Sequence, residues 1–339
     1  MRNFKFVFLP SINNGFKFDP RTDGAELIQS WIERLNDSED YLEIIVPANI
    51  ESAKKELRNA DAVYGILTPE LLATCNNLEW LQAPQAAPFN PSRYYFDELV
   101  EHPVRVTNFK GIYSDHISHH IMAMVLSFSR SLNIYMQQQL KSKWQPIINS
   151  KGSTRFLPES SALIVGVGGI GAETAIHCAN FGMTVYGIDS KIKDAPEGVE
   201  KMYGSESLME IAEKVDFVIS TIPHTPETKG IFNFNFFKKM KNSSFFINIG
   251  RGPTTILDDL LKALDSEEIS GAGLDVFEVE PLPENHLLWK HPNVIITPHI
   301  AAYDVPYLND RRFNIILKNC RLFAQGKDLF NVVDKKLWF

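Results

Sequence analysis

Gly166-Val167-Gly168-Gly169-Ile170-Gly171 is the most informative stretch of this chain. It follows an apolar run over residues 162–165 and opens a helix-like stretch over residues 172–181. In a strand–turn–helix setting, the first glycine permits a tight turn, the second lets the backbone approach a pyrophosphate, and the third lets the helix pack on its strand. Phosphate groups bind the free amides at a helix start. The stretch predicts a dinucleotide site, against the alternative of a glycine-containing turn that binds nothing.

A carboxylate follows at the distance expected for ribose recognition. The apolar segment 185–188 ends in Asp189, a residue type that accepts hydrogen bonds from the adenosine ribose hydroxyls. The same carboxylate repels the extra phosphate of NADP, so NAD is the predicted cofactor and NADP the less favoured alternative. Lys191 and Lys193 lie just downstream and would soften this preference, although lysines on exposed loops are more often only solvated.

Length and composition exclude several classes of protein. The 339 residues suffice for two domains, with 44% hydrophobic and 22% charged residues as in soluble globular proteins. The net charge of -7 and the lack of a Lys/Arg-rich stripe argue against nucleic acid or a membrane surface as partner. Three widely spaced cysteines and a start without signal-peptide features indicate a reducing compartment, so a cytoplasmic location is expected.

The order of elements predicts an α/β fold with two doubly wound parallel sheets, because strand-like and helix-like runs alternate in two series. The first series has strand candidates at 4–9, 41–46, 62–67, 80–83 and 104–108, with helices at 24–35 and 51–59. The second has six, at 162–167, 185–188, 217–221, 245–249, 271–276 and 294–297, enough for a full dinucleotide-binding sheet. A further helix is expected over 307–325.

A long helical region at 114–140 separates the two series, with Ser114 and Asp115 as candidate caps. Residues 117–132 are apolar over much of the helix circumference, so this segment must be buried on more than one side. A subunit interface and burial within one chain both satisfy that requirement. We predict a homodimer.

Three residues that suit acid–base chemistry follow successive strand candidates. Arg251 comes after the run 245–250, and its guanidinium can hold a carboxylate and a carbonyl oxygen in one plane. His299 follows the last strand and is the side chain best suited to exchange a proton near neutral pH. Glu280 lies in the turn after the preceding strand and could orient that imidazole. A surface arginine and a structural histidine are the competing interpretations.

These motifs resemble the NAD-dependent D-isomer-specific 2-hydroxyacid dehydrogenases from about Trp80 onward. The glycine stretch is similar to the family's cofactor signature, residues 221–228 to its loop beside the nicotinamide ribose, 248–252 to its arginine strand, 275–281 to its glutamate turn, and 297–301 to its histidine motif. The resemblance implies that Arg251 binds the substrate carboxylate and carbonyl, that His299 is the acid/base, and that Glu280 orients it. The implied cofactor contacts, besides the glycine stretch and Asp189, are Ile222, Pro223, Thr228, Ile249, Gly250, Arg251, Asp275 and His299.

The resemblance also implies a domain arrangement and a reaction. A Rossmann-type NAD-binding domain, 109–301, would be inserted in a flavodoxin-like substrate-binding domain made of 1–108 and 302–339, with a dimer interface at 117–135. The expected reaction is hydride transfer between NAD(H) and a small 2-oxo acid, giving a D-2-hydroxy acid. The run 223–226, Tyr303 and the ending 331–334 are most similar to the glyoxylate- and hydroxypyruvate-reducing branch. An NAD(H)-sensing, corepressor-like interaction protein is the alternative.

Two departures from the family pattern affect these expectations. The lid segment 82–89 carries Pro88 near where relatives have a glycine-containing turn with amide donors, and proline has no amide hydrogen. His119 stands where relatives often carry a glutamate. His116, His119 and His120 lie close together, but no carboxylate or cysteine pattern completes a ligand set, so no metal site is predicted.

Overall fold

The computed structural model describes residues 1–9, 25–84, 86, 96–147, 154–302 and 306–336. The chain divides into two compact units, unit 1 formed by Met1–Ile112 with Asp304–Phe339, and unit 2 formed by Tyr113–Tyr303. The unit boundaries therefore fall at 112/113 and 303/304, where the sequence predicts 108/109 and 301/302.

Unit 1 contains a parallel sheet of five described strands in the order β2-β1-β3-β4-β5, the flavodoxin-like order. The strands are β1 Phe4–Leu9, β2 Leu42–Ile45, β3 Ala62–Gly65, β4 Trp80–Gln82 and β5 Arg105–Thr107. The helices of this unit are α1 Ala25–Ser38, α2 Ile50–Leu57, α3 Pro69–Leu72, α4 Asp97–Glu101 and a C-terminal helix, Pro306–Ala324.

Polar side chains buried in unit 1 bond to one another. The Trp80 indole donates to Thr107 Oγ1 at 2.8 Å, and the Thr107 hydroxyl donates to Gln82 Oε1 at 2.8 Å. Asn319 from the C-terminal helix donates from Nδ2 to the same Gln82 oxygen, and its Oδ1 accepts a hydrogen bond from the Phe330 amide. These bonds tie the last helix and the tail to the sheet and offset the cost of burying polar groups.

Unit 2 contains a parallel sheet of seven described strands in the order β12-β11-β10-β9-β6-β7-β8. Counted outward from β6, this is the doubly wound dinucleotide-binding order with an added edge strand, so the predicted fold class is confirmed. The strands are β6 Ser161–Val165, β7 Thr184–Ile188, β8 Lys201–Tyr203, β9 Phe217–Ser220, β10 Phe245–Asn248, β11 Gly271–Leu274 and β12 Val294–Ile296. The prediction of six strands missed β8.

The helical region 114–140 is broken rather than continuous. Ser131, with φ of 55°, separates α5 Ser114–Ser129 from α6 Leu132–Leu140. The N-cap position is Tyr113, so Ser114 and Asp115 lie inside the first turn and not at the predicted cap position, although Asp115 Oδ1 accepts the His116 amide at 2.9 Å. The other helices of unit 2 are α7 Gly169–Asn180, α8 Leu208–Ala212, α9 Phe234–Phe237 and α10 Leu257–Asp265, with 3₁₀ turns at Leu157–Glu159, Ser205–Ser207, Gly252–Thr254 and Leu287–Lys290.

The apolar surface of α5 is buried inside its own unit. Phe128 stacks on Phe245 with ring centroids 4.7 Å apart, and a Cβ added at Gly273 would lie 2.7 Å from the Met124 sulfur. Packing within one chain therefore explains why α5 is so apolar. The following helix differs, since α6 buries none of its residues. Within the described part of the chain, no helix is long and apolar enough to cross a membrane.

Candidate active site

The glycine stretch lies at the carboxyl end of β6, where the strand order of the sheet reverses. Gly166 has φ of +90°, which L side chains rarely adopt, and a Cβ there would lie 2.8 Å from Ile222 Cγ2. A Cβ at Gly171 would lie 2.0 Å from the Gly166 carbonyl oxygen, whereas one at Gly168 would meet nothing within 4 Å. The space at Gly168, beside the start of α7, fits a pyrophosphate held by backbone amides.

Asp189 follows β7 and bonds to the glycine stretch. Its Oδ2 accepts the Val167 amide at 2.9 Å, and its Oδ1 accepts the amides of Lys191 and Ile192 at 2.8 and 3.1 Å. The carboxylate that the sequence assigns to the ribose thus also connects two strand ends. Neighbouring strand ends meet here, as open α/β sheets require of a ligand crevice.

The loop after β9 borders the same edge of the sheet. The Thr221 hydroxyl donates to the Gly166 carbonyl at 2.6 Å, and the Thr228 hydroxyl donates to the Pro223 carbonyl at 2.7 Å. Burial lowers the pKa of His224 in this loop, and the cations of Lys229 and Arg251 lower it further. Both effects favour the neutral form of the His224 imidazole.

Arg251 follows β10 on a segment fixed by the buried Asn248 side chain. Asn248 Oδ1 accepts a hydrogen bond from the Gly250 amide at 3.0 Å, and Asn248 Nδ2 donates to Thr255 Oγ1 at 2.9 Å. Arg251 donates from Nη1 to the Gly250 carbonyl at 2.7 Å. Burial lowers the pKa of the guanidinium and the charge of Glu280 opposes that shift, so the two groups interact electrostatically.

His299 and Glu280 form a direct pair between the turns that follow β12 and β11. His299 Nδ1 lies 2.8 Å from Glu280 Oε2, and Glu280 Oε1 accepts the Phe277 amide at 2.9 Å. Because a carboxylate only accepts hydrogen bonds, Nδ1 carries the hydrogen and the carboxylate fixes the ring orientation. The side chains are 26% and 12% exposed, which limits screening of the pair by water.

Asp275, at the end of β11, is a buried carboxylate that bonds to the histidine turn. Its Oδ1 accepts the Thr297 hydroxyl at 2.6 Å and the Ile300 amide at 2.9 Å, and its Oδ2 accepts the Ala301 amide at 3.0 Å. A carboxylate has about four acceptor positions. The contacts among the described residues use three of these positions, which is compatible with the cofactor contact that the family resemblance implies for Asp275.

The structure therefore places the predicted site residues along one edge of the unit 2 sheet. These are the glycine stretch, Asp189, Ile222, Pro223, Thr228, Ile249, Gly250, Arg251, Asp275, Glu280 and His299, each at or just beyond the carboxyl end of a strand. Pro88 of the lid segment lies outside the described residues. Among the residues that are described, no group of three His, Cys, Asp or Glu side chains could hold a metal ion.

Sequence reasoning considered His120 only as a metal ligand and missed its contact with the turn that carries His299. His120 Nε2 lies 3.0 Å from Thr297 Oγ1 and 3.8 Å from Asp275 Oδ1. The sequence contains no local signal for this contact, because 177 residues separate His120 from Thr297.

Comparison with known proteins identifies the class of this fold and site. The sequence profile described as "D-isomer specific 2-hydroxyacid dehydrogenase, NAD binding domain" matches residues 122–301. The chain belongs to the D-isomer specific 2-hydroxyacid dehydrogenase family, whose members are NAD(P)-dependent oxidoreductases, and unit 2 contains the matched NAD(P)-binding region. The predictions of the family, of an oxidoreductase and of a nicotinamide dinucleotide cofactor are confirmed at this level.

Glyoxylate/hydroxypyruvate reductases A are among the curated proteins that this chain resembles. Glyoxylate/hydroxypyruvate reductase A of Yersinia enterocolitica is 33% identical over 215 residues, which are 63% of this chain and 66% of that protein. The alignment thus spans about two thirds of that relative's own length.

Solved structures match along the chain. An NADPH-dependent glyoxylate/hydroxypyruvate reductase from Sinorhizobium meliloti, solved with NADP and sulfate, has a TM-score of 0.79 at 26% identity and covers 100% of both chains. A D-isomer specific 2-hydroxyacid dehydrogenase from Xanthobacter autotrophicus Py2, solved with NADPH and MES, has a TM-score of 0.81 at 25% identity, covering 99% of this chain and 100% of that one.

Proposed function

We propose that the protein reduces a small 2-oxo acid of the glyoxylate or hydroxypyruvate type to a D-2-hydroxy acid, using a reduced nicotinamide dinucleotide. The observation that carries the proposal is the 2.8 Å pair of His299 Nδ1 and Glu280 Oε2, which lies at the same edge of the sheet as Arg251. An acid–base group and an anion-binding group at the same edge of the sheet are what reduction of an oxo acid requires.

In the proposed mechanism, three side chains of the cofactor domain, unit 2, act on the reacting end of the substrate. Arg251 holds the substrate carboxylate and polarises the ketone oxygen. His299, oriented at Nδ1 by Glu280, donates a proton from Nε2 to that oxygen. When bound, reduced nicotinamide supplies the hydride for the carbonyl carbon, so a C–H and an O–H bond form as the C=O double bond becomes single. In the reverse direction, His299 accepts the proton.

We propose the same domain roles as the sequence implies, with unit 2 as the cofactor domain and unit 1 as the substrate-binding domain. Asp189 supports a preference for NADH. Its carboxylate lies beside the glycine stretch, where it would repel the extra phosphate of NADPH. The related structures from Sinorhizobium meliloti and Xanthobacter autotrophicus hold NADP and NADPH. Measuring kcat/KM with each dinucleotide tests the preference, and an equal or higher value with NADPH would contradict it.

The main experiment is a substrate panel with purified protein. Loss of nicotinamide absorbance is followed with glyoxylate, hydroxypyruvate, pyruvate, phenylpyruvate and branched 2-oxo acids, each with NADH and with NADPH. We expect turnover with the smallest acids and a loss of at least about 10²-fold in kcat for His299→Ala, with NADH binding retained. Tight NADH binding by the wild-type protein with no turnover of any acid would instead support an NAD(H)-sensing protein.

We also propose a homodimer. The apolar residues of the predicted interface at 117–135 pack largely inside unit 2, so we place the interface at an apolar stripe on α6 and the segment after it. Met136, Leu140 and Trp144 are 63%, 88% and 98% exposed and four residues apart. On the side that faces the protein, Asn133 and Gln137 donate to the Pro292 carbonyl. The stripe therefore points away from its own unit, and a second copy with the same surface would remove it from water.

Sedimentation of a Met136→Asp/Leu140→Asp variant tests the dimer. We expect monomers for the variant and dimers for the wild-type protein at micromolar concentration. A matched Gln138→Asp variant, which changes the charge of α6 without removing apolar surface, should remain dimeric. A monomeric wild-type protein, or a double variant that still dimerises, would contradict the proposal.

A cytoplasmic location is also proposed. The three cysteines are free thiols, and Cys178 and Cys320 are buried. Burial raises the pKa of Cys178 to about 12, so this thiol is unreactive at neutral pH. Free thiols are typical of proteins kept in a reducing compartment.

A further inference from the structure

The turn that carries His299 has an unusual backbone. His299 has φ of 54°, in the left-handed region that few residues other than glycine adopt. Its amide donates to the Thr297 carbonyl at 3.0 Å, which closes a tight turn directly after β12. Because such a conformation is unfavourable by itself, contacts around the turn must hold it.

The Asp275 carboxylate supplies those contacts on both sides of His299. It accepts the hydroxyl of Thr297, two residues before His299, and the amides of Ile300 and Ala301, which follow His299. Asp275 is 1% exposed, so water does not compete for these hydrogen bonds. The position of the imidazole thus depends on where this one carboxylate is held.

His120 on α5 extends this set of bonds to a helix. The Thr297 hydroxyl has one hydrogen, which goes to Asp275 because a carboxylate only accepts. Thr297 Oγ1 must then accept from His120 Nε2, 3.0 Å away, so Nε2 carries a hydrogen. The pKa of His120 lies below its ordinary value, because burial and the charge of His116 lower it more than the Asp275 charge raises it. The proposed bond needs a hydrogen on Nε2, and both the neutral Nε2–H tautomer and the protonated ring carry one.

We propose that His120 is a positioning residue for the reaction, which fixes the Thr297 hydroxyl on Asp275 and thereby holds the His299 turn. The proposal rests on the role of His299 given above. It assigns His120 no contact with substrate or cofactor. Its function is to donate one hydrogen bond from a packed helix, and any side chain that donates from the same place should replace it.

Two substitutions separate this role from ordinary packing. His120→Leu removes the donor, and His120→Gln places an amide NH₂ within similar reach of Thr297. We expect His120→Leu to lower kcat about tenfold, the effect of one lost hydrogen bond, while KM for the oxo acid and Kd for NADH change less than about threefold. His120→Gln should recover most of kcat. The control His119→Leu, at an exposed neighbouring position of α5, should keep kcat within about twofold.

A second measurement does not depend on turnover. Hydrogen exchange of the Ile300 and Ala301 amides, measured on the nucleotide-free protein, reports whether Asp275 still holds the turn. Exchange should be faster in His120→Leu and close to wild type in His120→Gln, with the strands of unit 2 unchanged in both. Equal protection in wild type and His120→Leu, or a Gln variant as impaired as the Leu variant, would overturn the proposal. A wild-type protein without turnover would instead count against the proposed function.

A double substitution tests whether the two residues act in series. Thr297→Val removes the hydroxyl that receives the His120 hydrogen bond. If His120 acts through Thr297, adding His120→Leu to Thr297→Val should lower kcat by less than about twofold further. Effects that multiply would show that His120 acts on the reaction independently of Thr297, and would overturn the proposed route.

Discussion

The two ends of the unit 2 sheet hold their charged side chains in different ways. At the amino end, Asp216 accepts the amide and hydroxyl of Ser161 at 2.9 and 3.0 Å, and Arg155 and Lys241 each lie 3.2 Å from it. At the carboxyl end, Arg251 donates to the Gly250 carbonyl, while Glu280 bonds to His299 and to the Phe277 amide. The carboxylate at the amino end, Asp216, is thus contacted by two cations and by both donors of Ser161. At the carboxyl end, the cation of Arg251 bonds to a neutral carbonyl.

The difference separates charge used for folding from charge available for chemistry. The Asp216 carboxylate lies within 4 Å of two cations, Arg155 and Lys241, so its charge stabilises the fold. Arg251 has five donors, and among the contacts of the described residues one is used, by a carbonyl. A cation with donors to spare, beside an oriented imidazole, is suited to bind an anion. Substitutions at the two ends should therefore affect different measurements.

The largest effect is expected for Glu280→Gln at the carboxyl end. Glutamine retains the shape of the side chain but removes the carboxylate that accepts the hydrogen of His299 Nδ1 and orients the imidazole. We expect kcat for the oxo acid to fall about 10²-fold, with the free energy of unfolding within about 1 kcal/mol of wild type. Steady-state kinetics and urea denaturation measure the two quantities. A large loss of stability with unchanged kcat would contradict the distinction between the two ends.

A smaller effect on binding is expected for Arg251→Lys. Lysine keeps the positive charge but loses the planar pair of donors that matches a carboxylate. We expect kcat/KM for the oxo acid to fall about 10- to 100-fold, the equivalent of one charge-assisted hydrogen bond. The Kd of NADH should change less than about threefold, as measured by fluorescence titration. Equal kcat/KM in the variant would show that Arg251 does not hold the substrate.

At the amino end, Asp216→Asn should affect stability rather than turnover. Burial acts to raise the pKa of Asp216, but the hydrogen bonds from Ser161 and the Lys241 cation outweigh it, leaving the pKa below its ordinary value of 3.8. The charged form therefore contributes stability above pH 4 and loses it as the pH falls through the lower, folded-state pKa. We expect the variant to lose about 1–2 kcal/mol at pH 7, with the gap narrowing towards pH 2.

The second measurement for Asp216→Asn compares the kcat of the variant with that of the wild-type protein. Urea denaturation at several pH values gives the stability difference, and kinetics with the preferred acid give turnover. Because Asp216 precedes β9 and the site follows the strands, kcat should stay within about twofold. A tenfold loss of kcat would show that the two ends are coupled.

The smallest effect is expected for Lys241→Met. The Lys241 side chain is 37% exposed, and water and salt screen its interaction with Asp216. We expect a loss below about 1 kcal/mol that shrinks at high salt. Arg155→Met should cost more, because Arg155 is 16% exposed and also donates to the Ser243 carbonyl. Equal losses in the two variants would contradict this ranking.

Local sequence signals were sufficient for most of the sheet positions. Strands such as β6 and β10 are buried apolar runs that end in glycine or polar turns, so their hydrophobicity marks them. β8 was missed because Lys201–Tyr203 is a short edge strand with only partly buried side chains. The break at Ser131 was missed because Arg130 and Ser131 are not the glycine or proline that usually ends a helix.

Candidate site residues could be predicted where they directly follow a strand. Contacts between residues far apart in the sequence could not. Arg251, Glu280 and His299 each follow an apolar run, so the topology of a parallel sheet brings them to one edge. The pairing of His299 with Glu280 could only be hypothesised, because spacing does not determine which side chains touch. The bonds of His120 and Thr297 depend on how α5 packs on the sheet, and no pattern within either segment indicates that packing.

The bond between the Val167 amide and the Asp189 carboxylate has a consequence for engineering cofactor choice. Exchanging Asp189 for a small or basic residue to admit a 2′-phosphate would also leave the Val167 amide without its acceptor. If the glycine stretch binds the pyrophosphate as proposed, a single substitution would admit NADP and at the same time loosen the backbone that holds this group. A successful redesign needs a second change that restores an acceptor at Val167, so the two properties must be altered together.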